Sequence, residues 1–174
     1  ASVIPGTTTL MTKSKSSLFS TLSCTSAGNC TGGGYAFRSM PEGSSTREFA
    51  VPYLVRQKAG VWGRAQMVRG IGALSKNGYA TINAVSCPSA GSCAAAGGYT
   101  TSSYNPDGSG PGQAFLLIET NGRWGIPSDV TSSLRNDGPA AFAGLSCPAK
   151  DGCSAAGNYW HGQQQRAFVI SQAG

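Results

Sequence analysis

The chain reads as an all-β protein, specifically a β-propeller assembled from four-stranded units, and three observations predict it. Charged residues make up only 11% of the 174 positions, while glycine occurs 25 times. That balance is too poor in Glu, Lys and Leu for a helical bundle. Six cysteines fall into three pairs of identical spacing, Cys24 and Cys30, Cys87 and Cys93, Cys147 and Cys153. Each pair sits in a longer repeat, Leu22-Ser-Cys, Val85-Ser-Cys and Leu145-Ser-Cys. Self-similarity at a fixed period marks repeated supersecondary units.

Each unit carries the same order of signals. An alternating stretch such as Ala80-Thr-Ile-Asn-Ala-Val-Ser-Cys87 enters the first cysteine as a half-buried strand. Small residues ending in an aromatic follow the second cysteine, at Thr31 to Tyr35, Ala94 to Tyr99 and Ser154 to Tyr159. Such a run suits a strand pressed closely against another sheet. Continuous apolar runs then mark a third strand at Phe49–Val55, Ala114–Ile118 and Ala167–Ile170. A Gly turn and a Trp, Gly60-Val-Trp62 and Gly122-Arg-Trp124, signal a hairpin into a fourth.

The third unit ends in that hairpin, and Val3-Ile-Pro-Gly-Thr-Thr-Thr-Leu10 resembles Gly125–Leu134. The expectation is therefore one domain, residues 1–174, of three repeats of about 58 residues: 11–63, 64–125, and 126–174 completed by 1–10. The N-terminal strand would complete the last blade. Propellers have four to eight blades, so three units predict a six-bladed ring by homodimerisation. A β-trefoil, which also has three four-stranded units, is the alternative, and a triangular β-prism comes third.

Two cysteines six positions apart across a Gly- and Ser-rich turn can meet without help from the rest of the chain, which predicts three local disulfides. Zinc fails on ligand spacing, and one histidine cannot complete three sites. No metal or cofactor is called for. Disulfides imply an oxidising compartment. The chain opens at Ala1 without a charged or apolar leader, so it is expected to be a secreted protein whose signal peptide has been removed. No apolar run approaches the length of a membrane-spanning helix.

The pattern Ser86-Cys-Pro-Ser-Ala-Gly-Ser-Cys93-Ala-Ala-Ala-Gly-Gly-Tyr99, followed by Gln113-Ala-Phe-Leu-Leu-Ile-Glu-Thr-Asn-Gly-Arg-Trp124, resembles the repeat of secreted actinobacterial β-propeller proteins, the family of dispase autolysis-inducing protein. All three units match, with Thr25 where the others have Pro88 and Pro148. The resemblance implies an extracellular binding protein that is not an enzyme. It also implies a protein-binding modulator of an extracellular protease and a transglutaminase substrate; Gln163-Gln-Gln165, in the loop between strands two and three, could be the acyl donor, with a plain polar hairpin loop the favoured alternative.

Binding candidates are the aromatics near the end of strand two: Tyr35 with Phe37, Tyr99, Tyr104, Tyr159, Trp160 and His161. Sugars stack on aromatic rings while short polar side chains bond their hydroxyls, so a lectin with repeated sites is the leading reading. Blade packing competes for the Tyr positions, and Trp62 and Trp124 read as structural. Consecutive Tyr159-Trp160-His161 must alternate faces, so at least one ring meets solvent or a partner. Arg56, Lys58, Arg64 and Arg69, within a net charge of +6, could form a patch for anionic polymers or an acidic protein; a solvated basic surface competes. No nucleic-acid motif is present, and no catalytic set emerges: His161 lacks a partner by sequence, and nothing selects a pair among the scattered acids. Asn105-Pro-Asp-Gly108 reads as a turn and lacks the ligand set of a calcium loop.

Overall fold

The computed structural model describes residues 2–11, 16–76, 78–100, 112–134 and 136–171. In chain order the elements are α1 (Thr7–Leu10), β1 (Ser17–Ser26), β2 (Asn29–Glu42), β3 (Ser45–Lys58), β4 (Val61–Trp62), β5 (Gln66–Met67), α2 (Ile71–Ser75), β6 (Ala80–Ser89), β7 (Ser92–Thr100), β8 (Gly112–Thr120), β9 (Arg123–Trp124), β10 (Ser128–Asp129), β11 (Ala140–Ala149), β12 (Gly152–His161) and β13 (Gln164–Ser171). They form three antiparallel sheets, one per repeat: β1-β2-β3 with β4 and β5 on β3, β6-β7-β8 with β9 and β10 on β8, and β11-β12-β13. The all-β reading holds.

Each sheet begins as a tight hairpin closed by its own disulfide, Cys24–Cys30, Cys87–Cys93 and Cys147–Cys153. Gly28, Gly91 and Asp151 take the left-handed conformation at the same turn position, with φ of 74°, 76° and 63°. Glycine enters that region without strain, and Asp tolerates it. The first strand then bulges at Ser20, Asn83 and Ala143, where the pairing register shifts. Opposite each bulge stands a glycine, Gly34, Gly97 or Gly157, whose Cβ would overlap the carbonyl oxygen of Leu18, Thr81 or Ala141. The small residues of strand two are thus required first by the strand beside them. The next sheet is the second reason: Ile82 packs directly onto Gly33, and Ala141 onto Gly98.

The outermost strand is split rather than continuous. Gly63 and Gly125 donate their N–H groups to Arg56 and Ile118 carbonyls (2.8 and 2.9 Å), and Val68 and Val130 donate to Pro52 and Ala114 (both 3.0 Å). Pairing in the first two sheets therefore runs to Met67 and Asp129, beyond the boundaries expected at residues 63 and 125.

The sheets stack in sequence order. Leu54 of the first meets Ile82, Val85, Phe115 and Leu117 of the second, and Ala84, Ala96 and Ala114 of the second meet Phe142, Ala155 and Phe168 of the third. Bulky side chains on the leading face of one sheet press on small residues on the trailing face of its predecessor. A polar link recurs at both junctions: the Cys87 N–H donates to Ser23 Oγ (3.0 Å) and the Cys147 N–H to Ser86 Oγ (2.9 Å). The first and third sheets share no core cluster among the described residues. The described residues thus lack the contact of every unit with both others that a β-trefoil makes.

The N-terminal segment does not complete the third sheet within the chain. The Pro5 carbonyl accepts the Ala65 N–H (2.8 Å), and Ile4, Leu10 and Met11 cover Tyr53, Val55 and Ala65 on the leading face of the first sheet. That is the opposite end of the stack, because the residues after the outer strand always cross to the following sheet: Val68 and Leu74 lie between the first and second sheets, Val130 and Leu134 between the second and third.

Candidate functional site

Counting from the second cysteine along the unbroken second strand, Tyr99 and Tyr159 take equivalent positions on the leading face, while the first repeat has Ala36 there. Tyr35 is one residue earlier and points to the trailing face, edge-on to Phe37 (5.6 Å), which in turn meets Tyr79 (6.1 Å). The expected repeated aromatic site is therefore not assembled. Tyr99 is only 6% exposed, packed on Phe115 (6.4 Å), and leaves no ring face for a sugar. Burial first, then the neighbouring Asp129 carboxylate and its hydrogen bond to the phenol, push Tyr99 up to about 12. Asp129 also accepts the Thr131 N–H (2.8 Å), so the outer strand is tied to this ring. Tyr159 is half-buried edge-on against Phe168 (6.3 Å). Tyr104 and the Asn105–Gly108 turn lie outside the described residues.

Trp160 is different. It alternates to the open trailing face of the third sheet and is 36% exposed. With Pro139, Ala141, Asn158 and Gln165 it lines a shallow groove of about 180 Å³. Next to it, His161 Nδ1 lies 3.9 Å from Asp137 Oδ2, and both Asp137 oxygens accept the Gly162 N–H (2.9 Å each), so Asp137 holds the β12–β13 turn. Gln163, Gln164 and Gln165 are all exposed.

A larger cleft, about 580 Å³, opens between the outer strands of the first and second sheets and is lined by Arg56, Arg64, Arg69, Arg123, Met67 and Trp124 among others. Three of the four basic residues singled out in the sequence meet there; Lys58 does not. Arg123 was not among them, and its signal was the departure from Val61 at the same hairpin position. Arg56 Nη2 forms an ion pair with Glu119 Oε1 across the sheet junction; the Glu119 side chain is fully buried and the Arg56 side chain 43% exposed. Glu119 Oε2 has no hydrogen-bond donor among the described residues. Arg64, Arg69 and Arg123 have no carboxylate partner among the described ion pairs.

Comparison with family models, curated proteins and solved structures finds no match. The chemistry of these two surfaces must therefore carry the functional reading. Among the described residues no group of three His, Cys, Asp or Glu side chains gathers, and no helix is long and apolar enough to cross a membrane. The three disulfides fit an oxidising, non-cytoplasmic compartment.

Proposed function

We propose that the protein is a secreted, non-enzymatic carbohydrate-binding protein, built as three blades of a β-propeller whose ring is completed by a second copy. The observation that carries the carbohydrate reading is the Trp160 groove: an exposed indole flanked by the Asn158 and Gln165 amides. A sugar stacks its apolar face on such a ring, and amides both donate to and accept from its hydroxyls. The site is single, not repeated.

The face-matching rule supports the ring. The open face of the third sheet carries Ala156, Asn158, Ala167, Val169 and Ser171, all exposed and uncharged, with Val169 at 77%. It matches the trailing face that the second sheet presents to the third. The first sheet exposes Phe19 and Leu22, which correspond to Ile82 and Val85 in the second and to Phe142 and Leu145 in the third. Ser146 is exposed where Ser23 and Ser86 accept a cysteine N–H, positioned for the Cys24 N–H of a second copy. In that ring Trp160 stands opposite Ser16, at the place where Phe37 meets Tyr79, and the smaller partner leaves the indole open. The repeat's resemblance to secreted propeller blades points the same way.

A glycan-array screen tests the first part: Trp160→Ala is expected to abolish binding, and unchanged binding removes the residue from the site. Light scattering tests the second, with a mass of twice 17.7 kDa expected and a monomer refuting the ring. A second reading, a protein-binding modulator of an extracellular protease, is favoured by the β2–β3 hairpin. Its strands are 14 residues each against 10 and 8 in β12 and β13, so its tip projects beyond that of the third repeat.

A further inference from the structure

The cleft between the first and second sheets is not used by the Trp160 reading, and its chemistry differs. Arginine, unlike lysine, presents a planar fork of donors that grips a carboxylate through two parallel hydrogen bonds. Arg64 sits between β4 and β5, Arg69 in the turn after β5 and Arg123 on β9, and all three line one cavity of about 580 Å³; Arg64 Nη2 also donates to Thr9 Oγ1 (3.4 Å). That volume lies within the range of ligand-binding pockets. Three like charges around one cavity repel one another, and no carboxylate offsets them among the described ion pairs. The fourth, Arg56, is anchored from below by buried Glu119, which holds its guanidinium in the wall.

The cluster belongs to this junction alone. At the second junction Arg56, Arg64 and Arg69 are replaced by Ile118, Ile126 and Thr131, and in the first repeat Arg123 is replaced by Val61. Scaffold requirements shared by the repeats therefore do not account for it. The remaining wall suits a hydroxylated ring: Trp124 packs in part on the core between the sheets and is half-buried, so part of its ring lines the cleft, and Gln66 supplies an amide. An acidic peptide would use the charges but has no polyhydroxy ring to set against Trp124.

We infer that this cleft binds carboxylate-bearing sugar residues of an acidic polysaccharide, with Arg64, Arg69 and Arg123 holding the carboxylates and Trp124 the ring. The site is separate from the Trp160 groove and stands or falls independently of it.

The test is a titration of the full chain with a galacturonate hexamer at low salt, followed by Trp fluorescence and calorimetry. Maltohexaose serves as the neutral control and hexaglutamate as the peptide control. Galacturonate is expected to bind, maltohexaose not, and hexaglutamate more weakly. Arg64→Gln, Arg69→Gln and Arg123→Gln together should weaken galacturonate by about 100-fold or more, and Arg123→Gln alone by about tenfold, since each removes charge-assisted hydrogen bonds. Circular dichroism melts of both variants establish that they fold, and the single variant decides if the triple does not. Trp160→Ala should leave galacturonate affinity unchanged. Absence of galacturonate binding, tighter binding of hexaglutamate, insensitivity to Arg123→Gln, or loss with Trp160→Ala would each overturn the assignment.

Discussion

Replacing Arg56 by alanine isolates an ion pair that crosses between sheets. Glu119 is fully buried on β8, and Arg56 is its only counter-charge among the described ion pairs. Removing one partner of a fully buried pair costs about 3–5 kcal/mol, because the other charge is left without compensation. Here the Arg56 side chain is 43% exposed, so water already screens the pair and can follow into the space that alanine vacates. The expected loss is therefore smaller, about 2–3 kcal/mol. Urea unfolding with the disulfides intact, followed by Trp fluorescence, measures it without the ionic screening that guanidinium would add. The midpoint should fall with an unchanged slope. Adding Glu119→Leu to Arg56→Ala should restore most of the loss, since the orphaned carboxylate is then gone and the site is apolar. A single variant within about 0.5 kcal/mol of the parent would refute the argument, as would a double variant less stable than the single.

Gly97→Ala places a Cβ on the Thr81 carbonyl oxygen, backbone that cannot swing aside, and should cost about 1–3 kcal/mol or prevent folding. Gly98→Ala, whose Cβ meets the Ala140 oxygen at 3.3 Å, should cost clearly less, and equal losses in urea melts would contradict the bulge account. Tyr99 keeps its proton to about 12 in the folded state, against about 10 unfolded. The folded chain thus holds a proton that the unfolded chain has already lost, so stability should fall as pH rises from about 10 to 12, by up to roughly 2–3 kcal/mol. Tyr53, raised by burial, adds in the same direction. Tyr99→Phe should flatten the alkaline limb of the stability profile, and an unaltered limb would count against Tyr99 as its source.

The amino-acid sequence by itself determined what is local. The three units, their strands and the disulfides within each hairpin were legible because every one depends on residues a few positions apart. The turn that brings Cys24 to Cys30 is complete within seven residues and recurs twice. Which face each side chain meets was not local. A strand alternates faces at every residue, so the count from the second cysteine decides that Tyr99 is buried while Tyr35 turns to the opposite side. Composition marked both only as aromatic. The path of the N-terminal segment also depended on tertiary structure: its likeness to Gly125–Leu134 is real, but that stretch includes the crossover onto the following sheet as well as the outer strand. Tertiary structure alone brought Arg64 and Arg123 to one cleft, because they belong to the outer edges of different sheets and only the stacking of one sheet on the next makes them line the same cavity.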